Sequence, residues 1–301
     1  MGTKSGSRVD RVSVAEADSG ERVDRLLARK LGISRSYVRA LLASGAVTIG
    51  GGAPDPDRRV QAGEEVVVAW DGPGIPATPY PIPILYEDEQ VVVVDKPRGL
   101  AVHPVGPGRG VTVVSALLAQ GPLAPGAPGR PGVVHRLDVA TTGALVLART
   151  ESARASLVSQ FQARTVVKEY LAVVEGELDV DEGAIEGRVE RDDARPWRMK
   201  LGGMGKDART EFTVLRRNQG RSLLLVRPHT GRTHQIRLHL AAIGHPVVGD
   251  PVYGKRGEAL LLHAWRLGFR HPATGAWMEF EAPPPPEFLP WLGGPSSTPQ
   301  R

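Results

Sequence analysis

Apolar and polar positions follow helical spacing and then strand spacing along the first quarter of the chain. Apolar residues recur on one helix face in Glu21–Leu31 and again in Arg35–Ala43, so this pattern predicts two short amphipathic helices. The apolar runs Ala46–Ile49 and Glu65–Ala69 follow, separated by a turn rich in Gly and Pro, and they predict two strands. The order helix, helix, strand, strand predicts a small N-terminal domain over residues 15–71.

The rest of the chain mixes strands and helices. Strands are predicted at Ile84–Glu87, Val91–Asp95, Thr165–Glu175 and Ser222–Val226, two or three more in an outward arm at Asp181–Asn218, and helices at Glu151–Ala163 and Thr233–Ile243. A period of two in Thr165–Glu175 places Lys168 and Tyr170 on one strand face, which suggests a pocket wall. An ordinary core position is the alternative for Tyr170.

Composition changes along the chain and suggests where the domains end. We expect a flexible leader at residues 1–14, a linker rich in Pro and Gly at 72–83, and a loose Pro-rich tail at 284–301. A second, larger domain then occupies residues 84–283. Gly106–Gly110 is rich in Gly but lacks the Gly-Lys-Ser/Thr ending of a nucleotide loop, so we expect no nucleotide cofactor.

Overall composition narrows the class of protein. The chain has 301 residues, 41% of them hydrophobic, which suffices for a buried core. Its net charge of +5 suits a polyanionic partner. Cysteine is absent, which excludes disulfides, thiolate catalysis and Cys-based zinc sites. No apolar run reaches membrane-spanning length and the N-terminus has no signal-peptide core, so we expect a cytoplasmic protein that does not contact a membrane.

One carboxylate occupies the centre of a polar loop within Pro131–Thr150. Asp138 lies between the apolar runs Val133–Val134 and Ala144–Ala148, which we interpret as strand ends. A loop held by buried strands at both ends can fix a reactive side chain. The alternative is that Asp138 only caps a turn and pairs with Arg136.

Histidines and arginines elsewhere suggest ligands of different kinds. His234 and His239 are five residues apart, which does not place two metal ligands on one helix face, so we expect no zinc site. Arg35 and Arg39 are one helical turn apart and can neutralise backbone phosphates, although a solvated helix face is the alternative. In the arm, Trp197 among basic residues suits unpaired RNA, and a solvated β-arm is equally compatible.

Several of these segments together resemble the RluA/RluD family of RNA pseudouridine synthases. The chain contains the motifs H-R-L-D-x-x-T-[ST]-G from His135, D-K-P-x-G-[LI]-x-V-H-P from Asp95, K-x-Y-x-A-x-V-x-G from Lys168, and T-G-R-x-H-Q-[IL]-R through Gly254. The N-terminal segment also resembles the S4 RNA-binding domain. The resemblance implies an α+β fold, with a mixed, largely antiparallel sheet, flanking helices and a central RNA-binding cleft.

The resemblance also assigns residue roles. It implies that Asp138 is the catalytic residue, that Arg237 pairs with it, and that Tyr170 stacks on the target base. Arg136 is then expected to help fill the space left by an everted uridine, and the aliphatic residue that packs against the tyrosine is expected to be Leu262. Further substrate contacts are expected from His135, Thr141, Arg232, Arg35 and Arg39.

The expected reaction is the isomerisation of specific uridines to pseudouridine, without a metal or cofactor. An S4 module in such enzymes implies 23S rRNA as the substrate, either as naked RNA or within a 50S precursor or particle, and we expect a monomer. The residues do not decide whether Asp138 acts as a nucleophile or as a base. Two alternatives remain in function: a non-catalytic RNA-binding assembly factor, and a synthase that acts on tRNA or mRNA. A carboxylate-dependent glycosidase or nuclease is less consistent, because the loops offer no second acid.

Overall fold

The computed structural model describes residues 9–31, 35–43, 45–69, 75–104, 110–126, 130–255, 257 and 259–293. The chain divides into two compact units, Met1–Tyr80 with His103–Pro131, and Pro81–Val102 with Gly132–Arg301. The domain bounds given above remain predictions. Parts of the expected leader, linker and tail, and Gly106–Gly110 except for its last residue, lie outside the described residues.

The described part of the first unit contains a three-stranded antiparallel sheet and three α-helices. Its elements are β1 (Val9–Ser13), a 3₁₀ turn (Glu16–Asp18), α1 (Val23–Leu31), α2 (Arg35–Ala43), β2 (Val47–Ile49), β3 (Glu65–Ala69) and α3 (Val113–Leu118). The strand order is β1-β3-β2. Apolar faces of α1 and α2 pack on the sheet in one core cluster that includes Leu26, Leu41 and Val68. The predicted bounds of α2 and β3 are confirmed, and assignment to the S4 domain remains a prediction.

Two elements of this unit, β1 and α3, were not predicted from the sequence. Val9–Ser13 was expected in the flexible leader, but it pairs with β3 along its whole length and buries Val12. The sequence pattern that would predict this strand is weak, because the strand has five residues and only one buried side chain. The short helix α3 was not predicted; it begins with a capping box in which Thr112 and Ser115 bond each other's backbone N–H groups.

The second unit is a ten-stranded mixed sheet with helices. Its elements are β4 (Ile84–Glu87), β5 (Val91–Lys96), β6 (Thr142–Ala148), α4 (Glu151–Ala163), β7 (Val167–Glu175), β8 (Glu182–Arg191), β9 (Met199–Leu201), β10 (Lys206–Asn218), β11 (Arg221–Pro228), α5 (Gln235–Ala242), β12 (Leu262–Arg270) and β13 (Trp277–Glu281). The order is β4-β5-β6-β12-β7-β11-β10-β8-β9, with β13 on β12. Only the β6–β12 pairing among those described is parallel. The α+β fold with a largely antiparallel sheet is therefore confirmed.

Two expectations for the second unit are corrected. Val133–Val134 is not a strand end, because Val133 forms only an isolated bridge to Leu147 of β6. The described part of the expected loose tail forms the helical turns Pro286–Phe288 and Leu289–Leu292, and Phe288 is fully buried. Two aromatic residues, Phe288 and Trp291, among prolines give little periodicity, although the burial of Phe288 holds the segment in place. No helix within the described ranges is long and apolar enough to cross a membrane.

Gly143 allows β6 to approach β12 closely. It pairs with Ala264 in the parallel register, and its φ of +111° is rarely adopted by residues with a side chain. A Cβ atom at this position would clash with the backbone of Ala264. This contact fixes where the loop before β6 ends, and so restrains the position of Asp138.

We predict that Gly143→Ala destabilises the protein by about 2 kcal/mol or more, because steric overlap and an unfavourable φ add together. Denaturant-induced unfolding measures the change. Gly203→Ala is the matched control: a Cβ atom there meets nothing within 4 Å, and we expect a change within about 0.5 kcal/mol. Equal stability of the two variants would contradict the close approach at Gly143.

Candidate active site

The register of β12 brings together parts of the site that are distant in sequence. Ala264 pairs with Gly143 of β6 on one side and with Tyr170 of β7 on the other. The loop that ends at Thr141 leads directly into β6, so Asp138 and Tyr170 both lie beside this strand. This arrangement explains why residues from two motifs line one cleft.

Hydrogen bonds inside the protein hold the Asp138 loop in place. The Nε2 atom of His135 accepts from the backbone N–H of Val146 at 3.1 Å, and the His135 ring stacks on Phe161. The pKa of His135 falls to about 3 through burial and the charge of Lys168, so the ring is neutral. His135 was expected to contact RNA, and the structure also gives it this anchoring bond.

A buried lysine closes the other side of the same loop. The Nζ atom of Lys96 donates to the carbonyl oxygens of Pro97, Leu100 and Val139 at 3.0, 2.9 and 3.2 Å. Val139 directly follows Asp138, and its carbonyl also accepts from the N–H of Gly99 at 2.8 Å. Burial lowers the pKa of Lys96 to about 8, which the charge of Asp138 partly offsets. Lys96 therefore ties the Asp-Lys-Pro turn to the loop.

Arg237 on α5 connects two carboxylates. Its Nε and Nη2 atoms donate to Asp250 at 2.7 Å each, while its Nη1 atom donates to Oδ2 of Asp138 at 3.0 Å. The bidentate partner is thus Asp250, which is fully buried and also accepts from the N–H groups of Val252 and Tyr253. The predicted contact of Arg237 with Asp138 is present, as a single hydrogen bond.

Burial and charge act in opposite directions on this buried pair. Burial disfavours the guanidinium, but the bonds and charges of Asp250 and Asp138 outweigh it and raise the pKa of Arg237. Burial likewise disfavours the Asp250 carboxylate, and Arg237 outweighs it, so the pKa of Asp250 is lowered. Both groups are charged at neutral pH. The guanidinium therefore presents its remaining nitrogen to Asp138 as a permanent donor.

His234 approaches Asp138 from a second direction. Its Nε2 atom lies 3.9 Å from Oδ2 of Asp138, and its Nδ1 atom is 3.2 Å from the hydroxyl of Tyr253. The backbone of His234 is left-handed, with φ of 55°, at the start of α5. Such a conformation in a residue with a side chain is uncommon outside functional sites and tight turns. Burial lowers the pKa of His234.

The cleft has a volume of about 510 Å³ and is predominantly cationic. Tyr170 and Leu262 contribute to its wall and belong to one apolar cluster. Burial and the charge of Asp138 raise the pKa of Tyr170, so its phenol is neutral. Among the described residues that line the cleft, Asp138 is the only carboxylate; the cationic ones are Arg136, Arg164, Lys168, Arg232 and Arg237.

The structure brings most of the predicted site residues together. The cleft is lined by Asp138, Tyr170, Arg237, His135, Arg136, Thr141, Arg232 and Leu262. Arg136 is exposed and has no ion pair with any residue that the structure describes. Arg232 donates from Nε to the carbonyl oxygen of Asp207 at 3.1 Å.

Arg35 and Arg39 lie in the first unit, where carboxylates already contact them. Arg35 donates to the buried Asp24 at 2.8 Å, and Arg39 donates to Asp57 at 3.2 Å. Their side chains remain 48% and 53% exposed. Phosphates would therefore have to share these guanidinium groups with Asp24 and Asp57.

Sequence reasoning missed three contributors to the site. Asp250 and His234 were part of a recognised motif, but nothing in their spacing shows that one would hold Arg237 and the other would face Asp138. Lys96 lies in the motif that begins at Asp95, and its three hydrogen bonds to carbonyl oxygens give it a structural role in holding the loop.

Comparisons with known proteins agree with this geometry. The sequence model of the family described as RNA pseudouridylate synthase matches residues 90–242. The chain is 40% identical over 289 residues to the uncharacterized RNA pseudouridine synthase YlyB of Bacillus subtilis, covering 92% of this chain and 95% of the relative. It is 36% identical to the ribosomal large subunit pseudouridine synthase D of Escherichia coli K12, covering 92% and 91%.

The chain belongs to the RNA pseudouridylate synthase family. This pseudouridine synthase is accordingly an isomerase that modifies RNA. Its fold is also similar to that of the human RNA pseudouridylate synthase domain containing 1, with a TM-score of 0.58 and 29% identity over 72% of this chain and 89% of the human one.

We predict that Asp250→Asn destabilises the synthase by about 3 kcal/mol at pH 7, because it removes the buried counter-charge of Arg237. The pKa of Asp250 is lower in the folded state than its usual 3.8, so its stabilising effect is present above about pH 4 and is lost as the pH falls through the folded value. The difference between wild type and variant should therefore shrink in acid.

Denaturant-induced unfolding between pH 3 and pH 8 measures this difference. Asp207→Asn is the matched control, since Asp207 is 85% exposed in its ion pair with Arg188 and should change stability by less than about 1 kcal/mol. A difference for Asp250→Asn that stays constant down to pH 3 would contradict the proposed pairing.

Proposed function

We propose that this synthase converts uridine to pseudouridine in 23S rRNA, in the cytoplasm, with Asp138 as the catalytic residue. The single observation that carries the site assignment is the position of Asp138 at hydrogen-bond distance from the buried Arg237 in a cationic cleft. The rRNA target is supported by the name of the relative from Escherichia coli, ribosomal large subunit pseudouridine synthase D.

The reaction breaks the bond between ribose C1′ and uracil N1, turns the base, and joins C1′ to C5. A proton leaves C5 and N1 gains one, so the step is an isomerisation without an oxidant or a second substrate. In the proposal the Asp138 carboxylate either adds to the nucleotide or removes a ribose proton. Both roles need a carboxylate that is shielded from bulk water, and the guanidinium of Arg237 holds the Asp138 carboxylate in the cleft through a hydrogen bond at 3.0 Å.

Tyr170 is proposed to stack on the uracil ring. It lies on the cleft wall with Leu262, and its neutral phenol is a weak base at pH 7. Stacking therefore accounts for the position of Tyr170 better than proton removal alone. To help remove the C5 proton late in the reaction, the phenol would first have to pass its own proton to a partner. Arg136, which is exposed at the cleft, is proposed to replace the everted uridine in the RNA.

We predict that Asp138→Asn lowers pseudouridine formation by about 10⁴-fold or more and leaves RNA affinity within about threefold of wild type, since its shape is kept and only the carboxylate is lost. Pseudouridine mapping in RNA from a deletion strain complemented with either protein measures the activity. Gel-shift titration with 23S rRNA transcripts measures the affinity.

Asp181→Asn is the matched control, because Asp181 is 87% exposed in its ion pair with Arg217 and does not line the cleft. It should restore every missing pseudouridine. Full activity of Asp138→Asn would reject the assignment of the catalytic residue. A missing pseudouridine in tRNA or mRNA, with rRNA unchanged, would reject only the rRNA target.

The N-terminal unit is proposed to add affinity for RNA phosphates as an S4 domain. We predict that Arg35→Gln with Arg39→Gln reduces the slope of log affinity against log salt by about 1.4 to 1.8, the value for two phosphate contacts. Asp24 keeps a bidentate partner in Arg22, at 3.1 Å for both bonds, so the fold should survive.

Salt titrations of rRNA binding measure this slope. Arg270→Gln, which removes an exposed guanidinium from the second unit, serves as the control and should leave the slope unchanged. An unchanged slope in the double variant would remove Arg35 and Arg39 from the RNA-binding surface and leave the active-site proposal intact.

A further inference from the structure

Lys168 is a cation that lines the cleft. It lies on β7, and its Nζ atom is 3.5 Å from the carbonyl oxygen of Thr230, the long limit of a hydrogen bond. No carboxylate forms an ion pair with it among the residues that the structure describes. Burial, together with the charge of Arg164, lowers its pKa to about 8, so most of it is still protonated at pH 7. A half-buried ammonium with one long hydrogen bond is stabilised by a bound anion.

Arg164 supplies a second cation to the same cleft. It is the C-cap of α4, with φ of 58° in the left-handed region, and its backbone N–H bonds the carbonyl oxygens of Gln160 and Phe161. Gly or Asn is the favoured residue type for this conformation. The backbone alone therefore does not explain an arginine here. Its exposed side chain lines the cleft and has no ion pair within the described part of the chain.

The position of these cations relative to Tyr170 suggests what they bind. Lys168 and Tyr170 are two residues apart on one face of β7, roughly 6.6 Å along the strand. This distance is comparable to that between a nucleobase and the phosphate of its own nucleotide. Asp138 is already paired with Arg237 and does not compensate the charges of Lys168 and Arg164.

From this geometry we infer that Lys168 and Arg164 form a subsite for one backbone phosphate of the RNA, adjacent to the nucleotide whose base stacks on Tyr170. The inference rests on the proposed function and names the part of the substrate that the cleft holds besides the base. The subsite takes a phosphodiester through charge and hydrogen bonds, so it sets the position of the target nucleotide and does not read its sequence.

A single-stranded RNA oligonucleotide with one uridine tests the subsite. A neutral methylphosphonate replaces one phosphate at a time along the strand, and equilibrium titration gives the Kd for wild type, Lys168→Met and Lys255→Met. Lys255 is an exposed lysine that does not line the cleft, so its variant controls for the general loss of one positive charge.

We expect one position, next to the uridine, at which the neutral linkage weakens wild-type binding about tenfold to a hundredfold. Lys168→Met should weaken binding of the unmodified RNA by a similar factor and show no further loss at that position. Lys255→Met should keep the full loss there. Additive effects of Lys168→Met and the neutral linkage at every position would overturn the inference.

Arg164→Gly separates the roles of the side chain and the backbone. Glycine suits the left-handed C-cap, so the variant should have a higher Tm than wild type while its RNA affinity falls about threefold or more. An affinity equal to that of wild type would remove Arg164 from the subsite.

Failure of the inference and failure of the proposed function give different results. Pseudouridine formed in 23S rRNA by wild type, together with additive binding effects, overturns only the subsite. Coupled binding effects without pseudouridine in 23S rRNA support the subsite and reject the proposed target. A wild-type protein that binds no RNA overturns both.

Discussion

The buried guanidinium of Arg237 is the charge around which this synthase is arranged. A guanidinium removed from water needs compensating partners, and two carboxylates from different parts of the chain supply them here. Asp250 takes two of its donors and is itself held by backbone N–H groups, which leaves one donor for Asp138. The inner pair fixes the direction of the outer contact. The geometry at Asp138 is therefore a consequence of the stability of the pair behind it.

The main chain of the Asp138 loop is also held in place by contacts within the protein. The loop of Asp138 is held where it begins by the ring of His135, in its middle by Lys96, and at its end by the contact between Gly143 and Ala264. Each of these restraints acts on the main chain and leaves the carboxylate oriented toward the cleft. A reactive side chain on a loop is thus positioned by elements that do not themselves touch the substrate.

Local sequence patterns predicted the elements whose apolar residues recur with the period of a helix or a strand, such as α2, β3, β4 and α4. They failed where a contact far along the chain decides the structure, as for β1, which is a strand because β3 lies beside it, and Phe288, which orders a Pro-rich segment by its burial. At the site, contiguous motifs identified Asp138, Tyr170 and Arg237 as candidates. The pairing of Arg237 with Asp250 and the approach of His234 depend on how α5 packs, which spacing alone does not encode.

The central position of β12 has a consequence for biosynthesis. This strand separates β6 from β7, although β6 and β7 are neighbours in the chain with only α4 between them. A ribosome that has translated β6, α4 and β7 has therefore produced two sheet halves with a vacant place between them. Until the segment from residue 262 leaves the exit tunnel, both flanking strands expose unpaired backbone groups, a state prone to wrong pairing. The nascent chain acquires its cleft late, when the missing strand inserts.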